Sequence, residues 1–266
     1  MARILALSSQ VVSGRVGLSV IQPALQQRGH EVLAVPTILL SNHPGQQAAS
    51  GTRIDPGVLD AMFATLEANG RLAGIDAILT GYLPSPAHVA AAARAVDRCR
   101  AVATAPLPLP YLCDPVIGDD PKGMYIDPAA AAALRETLLP GADIVTPNRF
   151  ELAWLTGATV DGPATAIAAA RSLARPVVLA TSIPMEGDRL GTVAVTADSA
   201  ALASVNQRTS VPNGTGDLLA ALFLARYLTS GRNIAVALAE AVAEVDRIIA
   251  ASSGRSELNL FPAKPS

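Results

Sequence analysis

Asp76-Ala77-Ile78-Leu79-Thr80-Gly81-Tyr82, followed closely by the helical stretch Pro86–Arg100, is the segment from which the fold is read. Asp76–Thr80 is a short apolar run of strand character, it ends on polar Thr80 and Tyr82, and a helix follows. The same unit recurs along the chain. Strands are expected at Arg3–Ser8, Glu31–Val35, Pro110–Asp114, Asp143–Thr146 and Pro176–Thr181, and helices at Leu18–Arg28, Gly57–Asn69, Pro128–Leu138 and Thr165–Ala174. Strands alternating with helices imply an α/β fold with a mainly parallel central sheet and helices on both faces. Gly191–Thr196 and Ala201–Arg208, separated by Ala197-Asp198-Ser199-Ala200, read as an antiparallel hairpin, and Asp217–Tyr227 and Asn233–Ala251 as closing helices. No repeat or composition break divides the 266 residues, so one domain over residues 1–266 is expected, with its core over about 3–251.

Composition narrows the function classes. Half of the residues are hydrophobic and 16% are charged, which excludes a disordered chain; with only 3% aromatic, small residues such as Ala90–Ala93 and Ala129–Ala133 must build the helix packing. A net charge of −2 marks no nucleic-acid or anionic-membrane surface. Cys99 and Cys113 make no disulfide framework and fit no metal-ligand spacing. No signal peptide is evident at the N-terminus and no apolar run reaches transmembrane length, so a soluble, cytoplasmic protein is expected. His30 and His88, in or beside expected helices, read as surface residues, and Phe150 and Trp154 as core.

In open parallel sheets, ligands bind beyond the carboxyl ends of the strands. Ser9, Asn42, His43, Tyr82, Asp114, Asp119, Asn148, Glu151, Thr181 and Ser182 all fall at those ends. Each alone reads as a cap or turn residue. Six strands feeding polar groups to one edge describe a wide crevice.

Asn213-Gly214-Thr215-Gly216-Asp217 precedes the apolar run Leu218–Leu224. Its glycines let successive N–H groups converge at a helix start, an anion site suited to phosphoryl oxygens. Asp217 stands where a carboxylate can accept a proton from an attacking hydroxyl, or serve only as a first-turn acid. In Thr146-Pro147-Asn148-Arg149-Phe150-Glu151, Asn148 and Glu151 have the spacing of a capping box and can also stand near a magnesium ion, which keeps several waters and needs few carboxylates. Asp114, in Cys113-Asp114-Pro115-Val116, can face the same ion. No Walker or Gly-x-Gly-x-x-Gly pattern occurs.

Taken in order, Ser9…Gly14, Ser41-Asn42-His43, Thr80-Gly81-Tyr82, Cys113-Asp114-Pro115-Val116, Pro147-Asn148-x-x-Glu151, Thr181-Ser182 and Gly214-Thr215-Gly216-Asp217 resemble the pyridoxal kinase family of the ribokinase superfamily, from Leu5 to about Ala251. The resemblance implies a ribokinase-like fold, a homodimer, and ATP- and Mg2+-dependent phosphorylation of the pyridoxal 5′-hydroxyl in vitamin B6 salvage. It implies Asp217 as catalytic base, Gly214, Thr215 and Gly216 as the anion hole, and Ser9, His43 and Tyr82 around the pyridine ring. Asp114, Asn148, Glu151, Thr181 and Ser182 would form the magnesium and ATP-phosphate shell, with Asp114 and Glu151 toward the metal. Asp119 and Tyr125 would cover the nucleotide phosphates. The chain departs from the family pattern at Leu18, Leu40 and Pro44, all on the vitamin side. Rival readings are a hydroxymethylpyrimidine kinase of the same superfamily and a non-catalytic vitamin-binding relative. A sugar kinase fits less well, because Ser41–Pro56 reads as a loop where those enzymes carry a stranded lid.

Overall fold

Alternate residues of the first strand, β1 (Arg3–Val11), enter two different cores in the computed structural model, which describes residues 1–104 and 108–261. Ile4 and Ala6 pack with the first helix, α1 (Leu18–Gln26), whereas Leu5 and Leu7 face the opposite side. A strand that is apolar on both faces must be covered on both, and the chain supplies the cover in order. β2 (Glu31–Leu40), β3 (Gly51–Arg53), α2 (Pro56–Ala68), β4 (Ala77–Thr80), α3 (Pro86–Val102) and β5 (Tyr111–Cys113) come first. A small hairpin, β6 (Gly118–Asp119) and β7 (Gly123–Met124), precedes α4 (Pro128–Ala133), which runs on through a π-turn at Leu134–Leu138. Then follow β8 (Ile144–Val145), α5 (Arg149–Thr156), α6 (Pro163–Ser172), β9 (Val177–Met185), β10 (Arg189–Val195), β11 (Ala200–Asn206), α7 (Thr215–Thr229) and α8 (Ile234–Ala251).

Among the described residues, nine strands form one sheet in the order β11-β10-β9-β8-β5-β4-β1-β2-β3. The six strands expected from the sequence are β1, β2, β4, β5, β8 and β9, and each pairs parallel to its neighbour within that block. The β10–β11 hairpin continues the sheet antiparallel, as expected. α1, α7 and α8 cover one face; α2, α3 and α4 cover the other, with α5 and α6 packed over β9 and β10. In α7 the eight residues Leu218–Ala225 are all buried, so this helix is enclosed on every side. Its N-terminus is therefore a fixed point in the molecule.

Four sequence expectations need correction. Ser41–Pro56 is not wholly loop: β3 pairs antiparallel with the end of β2, which itself runs five residues past Val35 to Leu40. All three β3 residues are exposed, so no apolar alternation marks it. His30 and His88 are buried, not surface residues. His88 Nε2 donates to the Ile54 carbonyl at 2.8 Å and Nδ1 bonds Ser85 Oγ at 2.7 Å, while His30 Nδ1 accepts the Ala2 N–H at 3.3 Å. The core also continues past Ala251. Leu258 and Leu260 insert beside α1, α7 and α8, and the Ser252 hydroxyl caps the returning segment by accepting the Asn259 N–H at 2.8 Å. Of the expected span, residues 105–107 and 262–266 lie outside the described residues. Leu258→Ala is expected to lower stability by roughly 2–5 kcal/mol in urea unfolding; an unchanged midpoint would show that the segment after α8 is not part of the core.

Candidate active site

Gly214 adopts φ 93°, and a side chain there would place its Cβ 1.9 Å from the Arg15 carbonyl oxygen. Both facts require glycine: the first by backbone sterics, the second by the close passage of the β1–α1 loop. That loop is held from its other side as well. Gly17, at φ 55°, lies so close to Ser9 that a Cβ would fall 2.2 Å from the Ser9 carbonyl oxygen. The Gly17 N–H donates to the Asp217 carboxylate at 2.9 Å. Ser9, the β1–α1 loop and the first turn of α7 therefore fit together as one unit. Burial pushes the Asp217 carboxyl up to about 6, against the lowering effect of the Gly17 N–H.

Facing this unit is a set of carboxylates from the neighbouring strand ends. Asn148 caps α5 through a reciprocal box with Glu151, as expected: Asn148 Oδ1 accepts the Glu151 N–H at 2.9 Å, and Glu151 Oε2 accepts the Asn148 N–H at 3.0 Å. The structure adds what the spacing does not show. Glu151 Oε1 also accepts the Ile117 N–H at 2.7 Å, and Asn148 Nδ2 donates to the Gly118 carbonyl at 2.8 Å. Val116 takes φ 44°, an outlier for a β-branched residue, in the turn that delivers those groups. Burial pushes Glu151 up to about 7, while the N–H groups of Asn148, Ile117 and Gly118 oppose the rise. Asp114, whose Oδ1 accepts the Thr146 hydroxyl at 2.8 Å, is held well above the usual carboxylate range by burial and by the charges of Glu151 and Asp217. Asp119 is raised chiefly by burial. Tyr125, although partly exposed, is raised by desolvation and then by the charges of Glu151, Asp114, Asp119 and Asp217.

The remaining expected residues fall at the same edge with different degrees of engagement. Tyr82 is half-buried and held at its backbone: its N–H donates to Ser8 Oγ at 3.1 Å, and its carbonyl accepts the Thr37 hydroxyl at 2.7 Å. His43 Nδ1 accepts the Gly45 N–H of its own loop at 3.0 Å; burial and the Lys122 charge lower its pKa, and Glu257 raises it. Thr181 joins the site through a parallel bridge to Asn148. Thr181 and Ser182 together oppose Thr192 alone, a β-bulge in which Ser182 takes φ 57° and is exposed. Among the described residues the Ser182 hydroxyl makes no side-chain hydrogen bond to the other expected residues.

Gly17, Ser8, Thr37, Ile117 and Glu257 organise the site without having been expected there. Gly17 has no local signal beyond its place beside Leu18, where the chain departs from the family pattern. The others are distant in sequence from what they hold. Among the described residues no three metal-ligating side chains cluster, and no helix is long and apolar enough to cross a membrane.

A glycine turn at an enclosed helix start is thus opposed by carboxylates at parallel strand ends. Residues 25–259 match the family model described as phosphomethylpyrimidine kinase. The pyridoxal kinase of Deinococcus radiodurans is 39% identical over 240 residues, covering 86% of this chain and 80% of that protein. The pyridoxine/pyridoxal/pyridoxamine kinase of Bordetella bronchiseptica is 37% identical over 248 residues, covering 91% and 86%. The pyridoxal kinase structures from Entamoeba histolytica, and from Leishmania donovani in complex with ADP, each superpose with a TM-score of 0.89 at 28% identity. They cover 98% and 97% of this chain respectively, and 93% of each solved chain is covered. The chain belongs to the pyridoxal kinase family.

The raised carboxyl of Glu151 makes a pH-dependent stability prediction. Between about 4.5 and about 7 the unfolded chain ionises this group while the folded chain keeps it protonated, so folded stability falls as pH rises through that window. Glu151→Gln removes the penalty. Its stability relative to the parent, measured without ligands by urea unfolding, is expected to improve by roughly 1–3 kcal/mol from about pH 4 to about pH 8. A difference that does not change with pH would show that Glu151 ionises normally.

Proposed function

We propose that the chain transfers the γ-phosphoryl group of ATP to the 5′-hydroxyl of pyridoxal, giving pyridoxal 5′-phosphate and ADP. Pyridoxine and pyridoxamine are related substrates. The observation that carries this reading is the Asp217 carboxylate, fixed by the Gly17 N–H on the same turn that presents the Gly214–Gly216 amides. A vitamin hydroxyl is a poor nucleophile, so a carboxylate must take its proton as the bond to phosphorus forms. With its pKa raised to about 6, Asp217 is a stronger base than an ordinary aspartate and is still mostly ionised near neutral pH. The amides of Gly214, Thr215 and Gly216, with the start of α7 behind them, are the donors assigned to the transferring phosphoryl oxygens. Base and anion hole on one enclosed helix need no reorganisation during in-line attack.

Ser9, His43 and Tyr82 are assigned to the pyridine ring. Asp119, Tyr125, Asn148, Thr181 and Ser182 are assigned to the nucleotide phosphates, on the segments around the β6–β7 hairpin and the β9 bulge. Asp114 and Glu151 suit Mg2+: two buried acids, one raised by the charge of the other, are the environment a divalent cation relieves. The ion would be held by these few carboxylates, ATP and water, and would neutralise phosphate charge. The same reading takes the described core and its helices as one kinase domain in a cytoplasmic salvage enzyme.

Half of the residues being hydrophobic with 16% charged supports a homodimer. Light scattering at micromolar concentration is expected to give twice the chain mass, and a monomer alone would contradict it. The matching family model is described as phosphomethylpyrimidine kinase, which supports a pyrimidine as the second reading, with hydroxymethylpyrimidine as the rival substrate. An ATP-consumption assay on both compounds separates the readings: turnover of pyridoxal supports ours, turnover of the pyrimidine alone supports the rival, and binding without turnover supports a sensing role. In the same assay Asp217→Asn is expected to bind ATP and pyridoxal and to lose turnover by about 10²–10⁴. Retention of most activity would remove Asp217 as the base.

A further inference from the structure

The segment after α8 returns to the catalytic end of the molecule. Leu258 and Leu260 anchor it in the core, Ser252 caps it, and Glu257, between these anchors, is half-buried against the β1–α1 loop. The Glu257 carboxylate accepts the Arg15 backbone N–H at 2.9 Å, a contact spanning 242 residues. Gly14 lies beside it: a Cβ there would meet the two carboxylate oxygens at 3.4 and 3.5 Å. The same peptide stretch is engaged on its other side. The Arg15 carbonyl fills the space beside Gly214, and two residues on, the Gly17 N–H reaches Asp217. Arg15 thus hangs between two fixed elements, its N–H on the C-terminal segment and its carbonyl on the turn at the start of α7.

We propose that Glu257 is a positioning residue for the phosphoryl transfer. By holding the Arg15 N–H it fixes the β1–α1 loop, and through Gly17 and Gly214 that loop sets the Asp217 carboxylate and the neighbouring amides. The inference rests on the reading of Asp217 as the base. Glu257 itself touches no reacting atom in this account. What it contributes is a hydrogen-bond acceptor at a fixed distance, and its negative charge is incidental to that task, although His43 also feels it.

The acceptor and the charge can be separated. Glu257→Gln keeps an oxygen at the same reach and loses the charge, whereas Glu257→Asp keeps the charge and withdraws it by one methylene, beyond hydrogen-bond distance of Arg15. Steady-state kinetics with pyridoxal and MgATP are the readout. Glu257→Gln is expected to hold kcat within about threefold of the parent, while Glu257→Asp and Glu257→Ala lose kcat by about 10- to 100-fold. KM for both substrates should stay within about twofold in all three variants, because Glu257 hydrogen-bonds only the Arg15 N–H and reaches His43 through its charge alone. Should Glu257→Ala fail to fold, the Gln and Asp pair carries the test alone. Undiminished kcat in Glu257→Asp, a loss confined to KM, or a Gln variant as impaired as Asp would each overturn the inference. Asp217→Asn distinguishes the two failures: if it is inactive while Glu257→Asp is normal, only the role of Glu257 falls, and if it is active the base assignment falls with it.

Discussion

The Arg15 carbonyl oxygen occupies the space where any residue but glycine at position 214 would carry its Cβ. This close passage of two backbones, joined by the Gly17–Asp217 hydrogen bond, is the constraint around which the catalytic end is arranged. It locks the β1–α1 loop to the first turn of α7. It persists because α7 cannot move: its next eight residues are buried on all sides, between α1, α8 and the sheet. A tilt of that helix would open the core it shares with α1, α8 and one face of the sheet, and close-packed interiors do not deform gradually.

Opposite the glycine turn the molecule concentrates buried acids that water would otherwise solvate. Asp114, Glu151 and Asp217 are each raised first by burial, and Asp114 also by the other two. Backbone N–H groups from Asn148, Ile117 and Gly118 offset part of this at Glu151, and they are delivered by a turn in which Val116 is forced to positive φ. The ligand-free site is therefore a place of stored repulsion and backbone strain. Such strain is characteristic of sites whose complement is supplied by the ligand. In the proposed function that complement would be a divalent cation, which offsets the charge of the buried acids.

Much of the fold could be read from the order of the residues because apolar runs and helical stretches alternate without interruption. All six parallel strands are expected from sequence, and Asn148 and Glu151 form the expected capping box. The missed elements lack periodicity. β3 is three exposed residues, and β6 and β7 are two residues each, too short for any alternation to show. His88 looked like a surface residue because the Ile54 carbonyl and Ser85 hydroxyl that satisfy it lie on other segments. No local pattern announces the contact of Glu257 with Arg15, which spans 242 residues, and the last helical run marks the end of the expected core. Of the site, the residues adjacent to strand ends and glycines were legible, and those acting through tertiary hydrogen bonds were not.

In the proposed mechanism one turn, at the start of α7, holds both the proton acceptor and the anion hole. A crystal structure with ADP, magnesium, aluminium fluoride and pyridoxal tests it most directly. The account predicts the fluoroaluminate on the amides of residues 214–216, with the vitamin 5′-hydroxyl between it and the Asp217 carboxylate and the Gly17 contact intact. A fluoroaluminate bound away from that turn, or a 5′-hydroxyl out of hydrogen-bond reach of Asp217, would contradict it.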